Sequence, residues 1–246
     1  MSALGCIIPE DKSHMVRKPL AAIPYGKLAA AAPVPVVLGV NWYESFDQPK
    51  VMPSKQEGTS YHLPNSSTED LGQIRGGHCF CLLPMGGVKL ETEVWRKFYN
   101  QQAEGACVGF GNSRAQTIMH GGILFDAFWL YDECRRKEGT FPNGEGSTVK
   151  AASEVLELEG HRVQTGTTEC LRETHDGPIE LTYGVKAVRW TTSVTEVLAA
   201  LSRPGAEAVP FSNNWGDGYP NITWMPVPTL RRLLQEGGEA AAYQER

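Results

Sequence analysis

The sequence predicts an α+β protein whose helices and strands segregate along the chain. The middle, about residues 88–175, carries stretches with helical periodicity at Cys107–Met119, Phe125–Arg136 and Val149–Glu159. Short apolar or β-branched runs, Val36–Trp42, His78–Leu83 and Leu181–Trp190, flank that middle on both sides. A chain of 246 residues is long enough to bury a core as one large domain or as two lobes around a cleft. The expected organisation is an N-terminal arm, residues 1–32, and a single domain, 33–246. Its helical lobe comes from about 88–175, and its antiparallel sheet lobe from about 33–87 plus 176–246.

Each element has a local reason. The arm is rich in Pro and Ala and reads as poorly structured or draped over the surface. The apolar stretch Leu20–Val40 is broken by Pro24, Lys27, Pro33 and Pro35, so it reads as a linker feeding the strand Val36–Trp42. Residues 47–74 contain Pro49, Pro53, Gly58, Pro64 and Gly72 and read as one long polar loop. Pro84, Gly86 and Gly87 stop the strand His78–Leu83. Phe125–Arg136 ends in Arg135, Arg136 and Lys137, which suit the negative end of a helix dipole. Ser147 or Thr148 caps Val149–Glu159, and Gly160 ends it. Thr195–Ser202 reads as a short helix, Leu201–Glu207 as a turn, and Thr229–Leu234 as a helix with Gly237 past its end.

Composition narrows the function. Hydrophobic residues are 41% and charged residues 21%, the balance of an ordinary soluble globular protein. The net charge of −5, with no basic stripe, argues against a nucleic-acid partner. No apolar run reaches the roughly 18 residues of a membrane span. Met1–Lys12 lacks the pattern of a secretory signal, so the expected location is cytoplasmic. The six cysteines, Cys6, Cys79, Cys81, Cys107, Cys134 and Cys170, are then expected as thiols. Cys79 and Cys81 share one face of a strand. Two such thiols could ligate a metal, but small buried apolar residues are far commoner. Neither a metal nor a cofactor is expected.

The chemistry concentrates in Gln101-Gln102-Ala103-Glu104-Gly105-Ala106-Cys107-Val108-Gly109-Phe110. Cys107 opens a predicted helix, and the positive end of a helix dipole favours the nucleophilic thiolate. Gln101, six positions earlier, offers an amide that can donate to an oxyanion. The bland reading of Cys107 is a small core residue on a buried helix.

Four segments together resemble the papain-like cysteine peptidases, with the closest look to divergent members from actinobacteria and their phages. The first is the Gln101–Phe110 stretch. The second, Ser212-Asn213-Asn214-Trp215-Gly216, is similar to the family's Asn-Ser-Trp-Gly. The third, Gly76-Gly77-His78-Cys79-Phe80-Cys81, is similar to the strand that carries the family's histidine. The fourth, Pro35–Tyr43, looks like the strand before that histidine. The order departs from the family's cysteine, histidine, asparagine: His78 here precedes Cys107, and Asn213 follows it. The segment from about Pro33 to Pro84 looks displaced from a usual place between Ser202 and Ala208. The family form also has tryptophan after the cysteine, where this chain has Val108.

The resemblance implies a papain-like two-lobe fold with permuted connectivity and a Cys107–His78–Asn213 triad. Gln101 and the backbone N–H of Cys107 would bind the oxyanion. Trp215 would shield the histidine–asparagine pair, and both it and Trp42 are candidates for contact with substrate. Rivals stay open: Gln102 for Gln101, Asn214 for Asn213, and His120, His161 and His175 for His78. His161 reads as solvated and His175 as part of a turn. Trp42, Tyr43 and Phe46 either line the cleft or pack in the core. The acidic pairs Glu91/Glu93 and Asp126/Asp132 read as solvated. The expected function is a thiol hydrolase that cleaves peptide or isopeptide bonds in a peptide or protein substrate. The alternative is an inactive papain-like protein serving as a binding or structural module, for example in a phage particle; an acyltransferase or deamidase with the same triad is a third reading.

Overall fold

The computed structural model describes residues 4–13, 33–54, 58–86, 98–164, 169–170, 172 and 181–245. The sequence readings at 14–32, Glu91, Glu93 and His175 lie outside those residues. The strands are β1 (Val36–Tyr43), β2 (Lys50–Ser54), β3 (Gly58–His62), β4 (Ile74–Leu82), β5 (His161–Arg162), β6 (Leu181–Tyr183), β7 (Val185–Thr191), β8 (Ala208–Ser212), β9 (Ile222–Pro226) and β10 (Glu239–Glu245). The helices are α1 (Cys107–Met119), α2 (Ala127–Glu138), α3 (Val149–Leu158), α4 (Val194–Ala200) and α5 (Val227–Gln235). Eight strands form one sheet in the order β2-β3-β9-β8-β4-β1-β10-β7, and β5 pairs with β6. The β3–β9 pair is parallel. The other pairs are antiparallel.

The centre of the sheet is apolar on both faces. Val36, Leu38, Val40 and Trp42 of β1 pack with Val197 of α4 and Leu230 and Leu233 of α5. Val37, on the other face, joins Cys79 and Cys81 of β4, Val108 of α1 and Val149 of α3. Each such buried side chain contributes about 1.5–3 kcal/mol. A third cluster, including Phe98, Tyr99, Phe110, Phe128 and Tyr131, fills the space around α1 and α2.

Caps fall where local chemistry puts them. Asp126 accepts from Trp129 N–H at 2.9 Å and starts α2. Gly139, at φ 73°, ends it. Thr148 accepts from Ala151 N–H at 3.0 Å and starts α3.

Three readings of the sequence change. Residues 47–74 are not a single loop, because β2 and β3 form a hairpin at the sheet edge. Its ladder uses backbone groups, and Val51 and Met52 stay exposed, so no apolar alternation announced it. Leu181–Trp190 breaks at Gly184 into strands of different sheets. Finally, the start of the arm is tied to the body of the protein: Cys6 is buried, while Ile7 beside it stays exposed.

Helices α1 and α2 touch through Gly109. A Cβ there would lie 2.3 Å from Ala127 O and 2.9 Å from Tyr131 Cβ. Helix propensity alone favours Gly109→Ala by about 1 kcal/mol. Overpacking against backbone costs about 1–3 kcal/mol and wins. Gly109→Ala is expected to lower the thermal midpoint by several degrees in a melt; an unchanged or higher midpoint contradicts this packing.

Candidate active site

Cys107 is the first residue of α1. Ala106, at the cap position, has no side chain to bond the first-turn N–H groups, so they are left to whatever sits in front of the helix. The thiol is fully buried. Burial pushes its pKa well up, and the neighbouring Cys6 thiol adds to the rise. The backbone N–H groups of Cys79, Gly5 and Val108 act in the opposite direction. Cys79 is the residue after His78 on β4, so the thiol meets the backbone of the strand that carries His78, but the thiol and the imidazole share no hydrogen bond.

His78 Nε2 and Asn213 Oδ1 lie 2.6 Å apart and are buried. Asn214 N–H also donates to Asn213 Oδ1, at 2.8 Å, which fixes the amide orientation. An oxygen that accepts makes Nε2 the protonated nitrogen, so Nδ1 carries the lone pair of the neutral ring. Nδ1 has no hydrogen-bond partner among the described residues. Burial lowers the His78 pKa to about 4, although the Asn213 bond works the other way. With the thiol held up and the imidazole held down, both groups are neutral at pH 7.

Trp215 lies over the imidazole with ring centroids 4.8 Å apart. Trp42 meets the same ring edge-on, also at 4.8 Å. Trp42 is wholly buried and its indole N–H is given to Asp47 at 2.9 Å, so it packs behind His78 and does not line a cleft. Trp215 is likewise buried, a cover for the histidine–asparagine pair rather than a surface for substrate. Gln101 is buried; its Nε2 donates to Glu104 O at 2.8 Å, and its backbone N–H to Asn214 O at 2.8 Å. Gln102, its rival, is exposed.

Two residues that the sequence reading did not assign hold these parts in register. Asn214 Nδ2 donates to Cys79 O at 2.9 Å, tying the asparagine loop to β4. Arg114, fully buried on α1, donates to Asn213 O at 3.2 Å and lies over the Tyr99 ring. As the one charged residue of α1, Arg114 was itself the available signal for the second.

The segment Leu4–Ile8 forms a strap across this site. Cys6 N–H donates to Gly77 O at 3.0 Å, next to His78. Ser147 N–H donates to Gly5 O at 2.8 Å, and Ile7 N–H to Ser147 O at 2.7 Å. The fit depends on missing side chains: a Cβ on Gly5 would fall 1.8 Å from Gly105 O, and one on Gly77 would fall 1.9 Å from Cys6 O.

The other candidates are occupied elsewhere. His161 is not solvated: its Nε2 lies 2.8 Å from Ser113 Oγ, it stacks on Phe125, and burial lowers its pKa to about 3. His120 packs against Tyr183. Asp126 and Asp132 are buried, the first as the α2 cap and the second paired with Arg135 and Arg172. Among the described residues no group of three His, Cys, Asp or Glu side chains is placed to hold a metal ion. No helix among them is long and apolar enough to cross a membrane.

No family model matches the chain, and no curated protein sequence matches it. Among solved structures it is similar to xylellain, a cysteine protease from Xylella fastidiosa. The two are 12% identical, the match covers 99% of this chain and 96% of that one, and the TM-score is 0.52. At that identity the likeness is one of fold: the chain shares its architecture with a cysteine protease.

Proposed function

We propose that this chain is a latent thiol hydrolase that cleaves peptide or isopeptide bonds. Cys107 attacks the scissile carbonyl, and an acyl-enzyme forms on its sulfur. His78 takes the thiol proton and returns it to the leaving amine. Asn213 holds the imidazole so that Nδ1 is its basic nitrogen. Gln101, with the N–H of Cys107 at the uncapped start of α1, stabilises the oxyanion. The observation that carries this reading is the buried 2.6 Å His78–Asn213 pair on a strand whose next residue, Cys79, offers its backbone N–H to a cysteine that opens a helix. Such a constellation is recognised by geometry and roles rather than by position in the chain.

Latency follows from the strap. Leu4–Ile8 occupies the space in front of Cys107 and excludes water, which keeps thiol and imidazole neutral. Removal of the strap would readmit solvent and make the thiolate–imidazolium pair cheaper to form.

The order of the motifs is explained by transposition of residues 33–84. Val34 N–H donates to Ala200 O at 3.0 Å, and Met85 N–H to Leu201 O at 2.9 Å, so the segment enters and leaves the fold at one place. A chain rearranged to carry residues 33–85 between Ser202 and Gly205 is expected to keep the wild-type near-ultraviolet circular dichroism. Loss of tertiary signal in that chain would reject the transposition.

Iodoacetamide labelling of Cys107, read by peptide mass spectrometry across pH, tests the chemistry. In the full chain labelling is expected to be slow at pH 7 and to rise only in the alkaline range, because burial holds the thiol protonated. Gly5→Val cannot fit against Gly105 and is expected to speed labelling at pH 7 at least tenfold, with a midpoint below the ~8.5 of an ordinary thiol. Adding His78→Ala to Gly5→Val should remove that neutral-pH reactivity and lower any peptide hydrolysis by ~100-fold or more. Equal profiles with and without His78 would favour the inactive binding module.

A further inference from the structure

The buried thiols gather at the strap. Cys6, Cys79, Cys81 and Cys107 belong to one apolar cluster, although Cys6 comes from the strap, Cys79 and Cys81 from β4 and Cys107 from α1. Hydrogen bonds on both flanks hold the strap backbone around Cys6, to Gly77 on one side and Ser147 on the other. The Cys6 sulfur lies over Gly39, where a Cβ would come within 3.2 Å of it. Gly39 is the register partner of Cys79 on the adjacent strand. Cys6 raises the pKa of the Cys79 thiol beyond the effect of burial, and backbone N–H groups counteract the rise at Cys107. The proposed hydrolysis uses neither Cys6 nor Cys79.

We propose that Cys6 and Cys79 form a redox staple: a hydroperoxide converts this thiol pair into a disulfide that pins the strap to β4 and keeps the cleft shut. Its effect on activity rests on the thiol-hydrolase reading; the bond itself does not. Cys6, at 6% exposure, is the first to react, since Cys79 is fully buried. The Cys6 sulfur, as thiolate, attacks the peroxide; the O–O bond breaks, leaving a sulfenic acid on Cys6 and releasing water, or an alcohol from an organic peroxide. The Cys79 sulfur then attacks the Cys6 sulfur. The S–O bond breaks, and the hydroxyl leaves with the Cys79 proton as water. Two thiols lose two electrons, and the peroxide gains them. A dithiol reverses the bond by exchange.

The full-length protein, treated with hydrogen peroxide and blocked with N-ethylmaleimide, is digested without reductant and sequenced by mass spectrometry. The expected product joins Cys6 to Cys79, with fragmentation or Cys81→Ser separating Cys79 from its neighbour. The same product is expected in Cys107→Ser, where no hydrolase chemistry is possible, and not in Cys6→Ser or Cys79→Ser. In oxidised Cys107→Ser, amide exchange at Cys6 and Ile7 should slow at least tenfold and recover with dithiothreitol. A Cys6–Cys107 bond, or loss of thiols with no link at Cys6, overturns the proposal. A Cys6–Cys79 bond in a protein whose Cys107 reactivity is independent of His78 leaves the staple standing and removes the hydrolase.

Discussion

Helix α1 lies against β4 with no side chain between them at Gly111. A Cβ at that position would come 3.2 Å from Phe80 Cα and 3.1 Å from the Cys79 sulfur, tighter than most real contacts. This close approach sets α1 against β4 at Cys79 and Phe80, just past His78, and the other parts of the site are placed relative to it. Asn214 bonds the carbonyl of Cys79 and so locks the asparagine loop to the same strand. Arg114 reaches from α1 to the carbonyl of Asn213 and closes the circuit. Cys107, His78 and Asn213 come from three elements, and the close backbone approach at Gly111 together with the side chains of Asn214 and Arg114 sets their spacing. Backbone contacts tolerate little displacement in a close-packed interior.

That same packing works against charge. Moving an ion into a dry interior costs several kcal/mol even after relaxation, and an ion pair recovers this only with good geometry and satisfied neighbours. Here Asn213 supports a protonated ring, and the N–H groups of Cys79, Val108 and Gly5 support a thiolate. The strap acts in both directions at Cys107, because the Gly5 N–H lowers the thiol's pKa while the Cys6 thiol raises it. Desolvation is the largest influence on each group, and it outweighs the hydrogen bonds. The resting state is therefore a neutral thiol and a neutral imidazole held ready for solvent to return.

Much of this was legible where the determinants are local. The β-branched run at Val36, the helix opening at Cys107 and the Thr148 cap need only their own neighbours. His78, Cys107, Gln101 and Asn213 were candidates because each sits in a short motif; the structure pairs His78 with Asn213 and packs Cys107 with Cys79, the next residue on the strand. What was not legible depends on partners far away in the chain. Asp132 looked solvated until Arg172, 40 positions later, arrived beside it. His161 follows a helix-ending glycine, yet pairing of β5 with β6 buries its ring against Phe125 and Ser113. The Ala-rich β10 carries a helix-favouring composition that its place between two strands overrides. The strap was hidden for the same reason: Gly5, Gly77 and Gly105 mean little singly, and only their mutual approach shows that a backbone passes between them.

Chain order is the weakest constraint in this architecture. The β1–β4 pair occupies the centre of the sheet, and its side chains fill both cores. Its route in and out is peripheral: beside the backbone bonds at Ala200 and Leu201, the Arg203 guanidinium bonds the carbonyls of Leu83 and Pro84. On the transposed reading, changing which segments are joined there alters loop lengths, and doubling a loop costs only about 0.6 kcal/mol. Losing the packing of one central strand would cost many times that. Selection for stability would therefore hold the neighbours of His78 and Cys107 in place while leaving the order of the segments that supply them nearly free.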